Sequence, residues 1–174
     1  MSRLPAPEPL GTPSAALETP VAFLVFNRPE TTARVFAEIA RARPRQLLVV
    51  ADGPRTNRPG EDERCAAVRR IVERVDWPCD VRTNYSERNL GCRARVSSGL
   101  DWVFEEVEEA IVLEDDCLPH PTFFRYCETL LDRYRHDERV ACISGDDFQP
   151  PHPKSFHGPH CNVSLLCVQP LVVA

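Results

Sequence analysis

The chain has 174 residues, of which 43% are hydrophobic and 27% charged, and this balance excludes collagen-like and fully disordered proteins. Its formal net charge of -5 lacks the basic footprint of a nucleic-acid-binding protein, so we expect no nucleic-acid partner. No apolar run approaches the roughly 20 residues of a spanning helix, so we expect no transmembrane segment. Because the first 20 residues also lack an apolar signal segment, the sequence predicts a cytoplasmic protein.

Prolines concentrate near both ends of the chain and divide it into three parts. Residues 1–20 are predicted to be a disordered leader, and residues 21–149 to be a folded domain. Residues 150–174 begin with a proline-rich break and then turn apolar without a clear period. We expect them to be an irregular tail that leaves the domain incomplete at its C-terminus.

Strands and helices are predicted to alternate through the folded domain. In chain order, the strands are 21–26, 47–51, 79–83, 110–113 and 140–143. The first helix begins at Pro29 and has Ala33, Phe36, Ala37 and Ala40 on one face. The second helix carries Cys65, Val68, Val72 and Val75 on its apolar face, and the third carries Val96, Leu100, Val103, Phe104 and Val107. The fourth helix follows Pro121.

Apart from 79–83, the strands are apolar runs without polar alternation, and helices separate them. This pattern predicts an α/β fold in which a mostly parallel sheet is covered on both faces. Ligands of such sheets bind beyond the carboxyl ends of the strands. Polar residues that directly follow a strand are therefore the candidates for a functional site.

The strongest candidate is the run Glu114-Asp115-Asp116, which follows the apolar strand 110–113. Adjacent carboxylates repel each other, and a hard divalent cation such as Mg²⁺ or Mn²⁺ relieves that repulsion. The same residues could instead form a solvated loop at the start of the next helix.

Three further segments are candidates, two that follow a predicted strand and one that lies just before the third helix. Asp52 follows the second strand and could bind a ribose or a base, although Asp-Gly and Gly-Pro are also turn signals. Asn27 and Arg28 precede a helix start, where phosphate binds, although an Asn turn explains them equally well. The segment from Arg88 to Arg95 is a local basic cluster, or a loop with a solvated helix face.

Taken together, these segments describe a site for a nucleoside diphosphate and its divalent cation. The chain contains neither a Gly-x-x-x-x-Gly-Lys loop nor a Gly-x-Gly-x-x-Gly loop, which argues against P-loop nucleoside triphosphatases and dinucleotide-dependent dehydrogenases. A Mg²⁺-dependent phosphohydrolase that uses the same acidic cluster stays open as an alternative.

At these residues the chain resembles the GT-A glycosyltransferases, in particular bacterial family-two-type sugar transferases and, more distantly, N-acetylglucosaminyltransferase I. The resemblance covers about residues 20–149. It rests on Pro20 to Pro29, Ala51 to Pro54, Arg88 to Gly91, Val112 to Pro119, Phe123 to Tyr126 and Val140 to Gly145.

The resemblance implies a Rossmann-like GT-A three-layer sandwich and transfer of a sugar from a nucleotide-diphosphate sugar to an acceptor hydroxyl on a glycan, lipid or protein. It implies Mn²⁺ or Mg²⁺ held by Asp116. It places nine residues at the nucleotide sugar: Asn27, Arg28, Asp52, Arg88, Asn89, Gly91, Arg95, Glu114 and Asp115. No catalytic residue is assigned. Because members of the family continue into an acceptor-binding half, a non-catalytic nucleotide-sugar-binding fragment is the alternative function.

Overall fold

The computed structural model describes residues 16–137, 139–145 and 166–168, and it contains six strands and four helices. The strands are β1 (Val21–Val25), β2 (Gln46–Ala51), β3 (Asp80–Tyr85), β4 (Ala110–Glu114), β5 (Cys142–Ser144) and β6 (Leu166–Val168). The helices are α1 (Pro29–Ala42), α2 (Glu61–Val72), α3 (Cys92–Glu106) and α4 (Phe123–Tyr134). None of these helices is both long and apolar enough to cross a bilayer.

The strands form one sheet in the order β3-β2-β1-β4-β6-β5. The first four are mutually parallel, which confirms the predicted mostly parallel sheet. Strand β6 runs antiparallel to both β4 and β5. Because β1, β2 and β4 point the same way, their carboxyl ends meet at a single edge of the sheet.

Two hydrophobic cores lie on opposite faces of the sheet. Helices α1, α2 and α4 pack on one face against alternate strand residues such as Phe23 and Val49. Helix α3 packs on the other face against Leu24 and Val50. Gly99 of α3 allows this close approach, since a Cβ there would lie 2.5 Å from a methyl carbon of Val50. The result is the predicted three-layer sandwich.

The predicted apolar face of α1 is confirmed at Phe36 and Ala40 and wrong at Ala33 and Ala37. The structure buries Val35, Phe36 and Ile39 and leaves Ala33 and Ala37 exposed. Branched side chains remove more apolar surface from water than alanine does, so the larger residues face the core. Pro29 does occupy the first turn of the helix, as predicted.

The structure also corrects the predicted leader. Leu17 is 1% exposed, its backbone N–H donates to Ala42, and it forms a parallel bridge with Pro44. The packed domain therefore begins by Leu17 rather than at residue 21, because an apolar side chain covers the end of α1 there. Residues 1–15 lie outside the described part of the chain.

Strand β6 comes from the segment that the sequence analysis expected to be an irregular tail. Its backbone pairs Ala110 with Val168 and Val112 with Leu166. Three apolar residues are too few to give a period, so pattern alone did not predict this strand. The remainder of residues 146–174 lies outside the described part of the chain.

Candidate functional site

A cavity of about 260 Å³ opens at the carboxyl ends of β1, β2 and β4. Seven of the ten residues predicted for the site line it, namely Arg28, Asp52, Asn89, Gly91, Arg95, Glu114 and Asp115. The other three, Asn27, Arg88 and Asp116, are not part of its lining. The parallel sheet explains the convergence, because each strand delivers its following residues to the same edge.

A single guanidinium group bridges two carboxylates at the acidic edge of the cavity. Arg28 reaches Asp115 through Nη2 at 2.7 Å and Asp116 through Nη1 at 2.6 Å. Asp115 is 2% exposed and also accepts a hydrogen bond from the backbone N–H of Phe26. The side chain of Asp116 is 44% exposed, so of the two aspartates Asp116 is the one open to solvent. The two aspartates therefore differ in role: one is anchored in the fold and the other faces outward.

Glu114 stands apart from this ion pair. Among the described residues its carboxylate has no hydrogen bond or ion pair, although it lines the cavity. Burial raises the pKa of Glu114, and repulsion by Asp116 and Asp115 raises it further. Burial likewise raises the pKa of Asp115, against the opposing effect of Arg28. An acidic side chain with a raised pKa that faces a cavity is available to a ligand.

A divalent cation fits this edge only with help from a ligand. The described residues contain no group of three or more His, Cys, Asp or Glu side chains that could hold a metal ion by themselves. Mg²⁺, however, commonly binds one or two carboxylates together with substrate phosphates. The exposed carboxylate of Asp116 is suited to such a shared site.

Asp52 is engaged by the protein itself. Its Oδ1 accepts hydrogen bonds from the backbone N–H groups of Gly53 and Leu90, both at 2.9 Å. Its Oδ2 accepts from Asn89 Nδ2 at 3.0 Å and from the N–H of Gly91 at 3.2 Å. Four donors match the four acceptor positions of a carboxylate. Asp52 therefore fixes the loop before α3 to the end of β2, and its contact with base or ribose stays a prediction.

The predicted basic cluster separates in the structure. Arg95 is 6% exposed and donates to the carbonyl oxygens of Ala51 and Asn84, so it ties β2 to β3 at the cavity wall. Arg88 is exposed, and its backbone lies 2.6 Å from where a Cβ of Gly53 would be. Arg93 is also exposed and does not line the cavity.

The sequence analysis missed a pair of residues beside the cavity. Glu61, the first residue of α2, is 0% exposed and accepts hydrogen bonds from Arg55 and from Asn27 Nδ2. Arg55 and Phe26 line the cavity, and the guanidinium carbon of Arg55 lies 5.5 Å from the centre of the Phe26 ring. The rest of the lining that was not predicted consists of Leu24, Val25, Val50, Cys92 and Val96. The available signal was the position of Arg55, three residues after Asp52.

Comparison with known proteins bears on the fold. The solved structures that resemble this chain include two enzymes. One is the mannosyltransferase PcManGT from Pyrobaculum calidifontis in complex with GDP-Man and Mn²⁺, with a TM-score of 0.55 and 16% identity over 90% of this chain. The chain has the GT-A fold. The other is 4-diphosphocytidyl-2C-methyl-D-erythritol synthase from Anaerococcus prevotii, with a TM-score of 0.50 and 10% identity over 87% of this chain.

The GT-A match is partial in length and is not accompanied by a match in sequence. The chain spans 46% of the mannosyltransferase and 71% of the synthase. No protein-family model and no curated protein matches the chain. The resemblance to N-acetylglucosaminyltransferase I stays a prediction. These comparisons therefore establish the GT-A fold of this chain.

Proposed function

We propose that this chain is the donor-binding part of a metal-dependent glycosyltransferase that uses a nucleotide-diphosphate sugar. The observation that carries the proposal is the cavity at the sheet edge, where Arg28, Glu114 and Asp115 converge from two separate strand ends. A mannosyltransferase with the same fold forms a complex with GDP-Man and Mn²⁺, which supports a ligand of that class here.

Each residue at the acidic edge has a role in this proposal. Arg28 is half exposed and spans two carboxylates; a cation bound to Asp116 would release its Nη1 donors, whose fork geometry suits the oxygens of a diphosphate. Asp115 orients Arg28 from the protein side, and Glu114 accepts hydrogen bonds from hydroxyl groups of the sugar or ribose. Asp116 would hold Mn²⁺ or Mg²⁺ together with the diphosphate, and the cation supplies Lewis-acid stabilisation of the leaving group.

Calorimetric titration with GDP and with UDP, each in the presence and absence of Mn²⁺, tests the proposal. We expect Mn²⁺ to strengthen binding of a nucleoside diphosphate to the wild-type chain by tenfold or more. Asp116→Asn should abolish that enhancement. Asp101→Asn is the matched control, because Asp101 is exposed on α3 and does not line the cavity. Equal binding with and without Mn²⁺ in all three proteins would remove the metal site from the proposal.

A second measurement separates a complete transferase from a binding fragment. The chain spans 46% of the mannosyltransferase, so sugar transfer is tested separately from donor binding. Release of free sugar from a nucleotide sugar, above the level that Mn²⁺ alone produces, would show that the chain has a working catalytic centre. Release of phosphate from simple phosphoesters would instead favour a phosphohydrolase.

A further inference from the structure

Arg55 is held by a fully buried carboxylate. Glu61 is 0% exposed, and its two oxygens accept hydrogen bonds from the backbone N–H of Arg55 at 2.7 Å, from Nε at 2.9 Å and from Nη2 at 2.5 Å. Asn27 Nδ2 donates to the same carboxylate at 2.8 Å. A two-pronged contact of this kind fixes the plane of a guanidinium group as well as its position.

The outer part of Arg55 remains available to a ligand. Its side chain is 44% exposed and lines the cavity, and it lies over the ring of Phe26. A guanidinium group carries five N–H donors, and Glu61 takes those on Nε and one on Nη2. Within residues 16–137, 139–145 and 166–168, the donors on Nη1 and the second on Nη2 have no protein partner.

Arg55 enters the cavity from the β2 side, with its guanidinium over Phe26 at the end of β1, and the acidic edge lies on the β4 side. Arg55 follows β2, whereas Glu114 and Asp115 belong to β4, and β1 lies between these two strands. Two strand spacings amount to roughly 10 Å, which is long enough for a nucleotide to lie across the edge. If the diphosphate occupies the β4 end, as the proposed function requires, the base lies at the β2 end beside Arg55.

The charge at the β2 end favours a base over a phosphate. Glu61 compensates the positive charge of Arg55 and so weakens the attraction of Arg55 for an anion. The N–H groups of Arg55 that Glu61 does not occupy can still donate hydrogen bonds. Arginine has no acceptor atom, so these donors pair with a keto oxygen of a base and oppose an exocyclic amino group. We propose that Arg55, positioned by Glu61, selects nucleotides whose base carries a keto oxygen at purine position 6 or pyrimidine position 4 over those with an amino group there. This inference rests on the proposed nucleotide-binding function.

Two matched pairs of nucleotides test this selection. Within each pair, one base has a keto group, beside a protonated ring nitrogen, where the other has an amino group. Calorimetry on the full chain with Mn²⁺ should compare IDP with ADP and UDP with CDP. In the pair that binds more tightly, we expect the keto member to be favoured about tenfold in the wild-type protein. Arg55→Met should reduce that ratio to about one, and Arg58→Met, at an exposed position outside the cavity, should leave it unchanged.

Two additional variants assign the effect to the geometry of the arginine. Arg55→Lys keeps the charge but not the planar fork, so it should lose the keto preference, and it carries the test if Arg55→Met fails to fold by circular dichroism. Glu61→Gln should also lower the ratio while leaving Arg55 in place, because the positioning contact is weakened. A purely structural role for Glu61 would change the unfolding temperature and leave the ratio intact.

The outcomes separate this inference from the proposed function. If nucleotides bind but the wild-type ratio is near one, the inference is wrong and the proposed function stands. The same holds if the Arg55 variants weaken both members of a pair equally, since Arg55 would then act on the phosphates. If no nucleoside diphosphate binds to the wild-type chain, the proposed function itself fails and this inference fails with it.

Discussion

Replacing Asp52 with alanine should destabilise the domain strongly. The substitution removes the acceptor of four hydrogen bonds, with donor–acceptor distances between 2.9 and 3.2 Å. The N–H of Gly53 is buried, and leaving it unpaired costs about 1–3 kcal/mol. The other three donors are partly buried, and losing each bond costs about 0.5–1 kcal/mol. The expected loss in the free energy of unfolding is therefore about 2.5–6 kcal/mol.

Urea-induced unfolding, followed by circular dichroism, measures this loss. Asp101→Ala is the control, because Asp101 is exposed on α3, and its free energy of unfolding should stay within about 0.5 kcal/mol of the wild-type value. If Asp52→Ala costs less than about 1 kcal/mol, these four bonds do not hold the loop before α3 in place. The carboxylate would then be free to serve a ligand.

Two further predictions concern the neighbourhood of Asp52. Gly53→Ala should cost about 1–3 kcal/mol in urea unfolding, because its Cβ would lie 2.6 Å from the backbone of Arg88; an unchanged free energy of unfolding would contradict that close approach. The hydrogen bonds from Arg55 hold the pKa of Glu61 at about 2, below its ordinary 4.5, so Glu61 adds stability above pH 4.5 that is lost as the pH falls towards 2. Between pH 6 and pH 2 the unfolding temperature should fall more steeply in the wild-type protein than in Glu61→Gln. Parallel plots of unfolding temperature against pH would refute this.

The sequence predicted the architecture because most of its strands are uninterrupted apolar runs. Uninterrupted apolar runs such as Leu47 to Ala51 are typical of strands buried on both faces, and they led directly to the parallel sheet. The rule that ligands bind at the carboxyl edge then selected Arg28, Glu114 and Asp115. All three line the cavity, since the edge is fixed by the direction of the strands rather than by details of the loops.

The sequence could not predict the partners of the side chains. The contact between Arg55 and Glu61 depends on the path of the intervening loop, and that path cannot be predicted from the residue types alone. Asp52 was ambiguous between a turn residue and a ligand contact, and the structure places four protein donors around it. Pairing of Arg28 with both aspartates likewise follows from three-dimensional distance, because the residues are far apart in the sequence.

The way Asp52 is bound has a consequence for how freely this region can vary. Three of its four donors are main-chain N–H groups, which every residue except proline possesses. Position 90 can therefore change identity without losing its bond, whereas Gly91 is limited by its φ of 82°. The carboxylate at position 52 and the amide at position 89 are the two partners specified by a side chain, so related sequences that keep this loop geometry should drift at position 90 and retain aspartate at 52 and asparagine at 89.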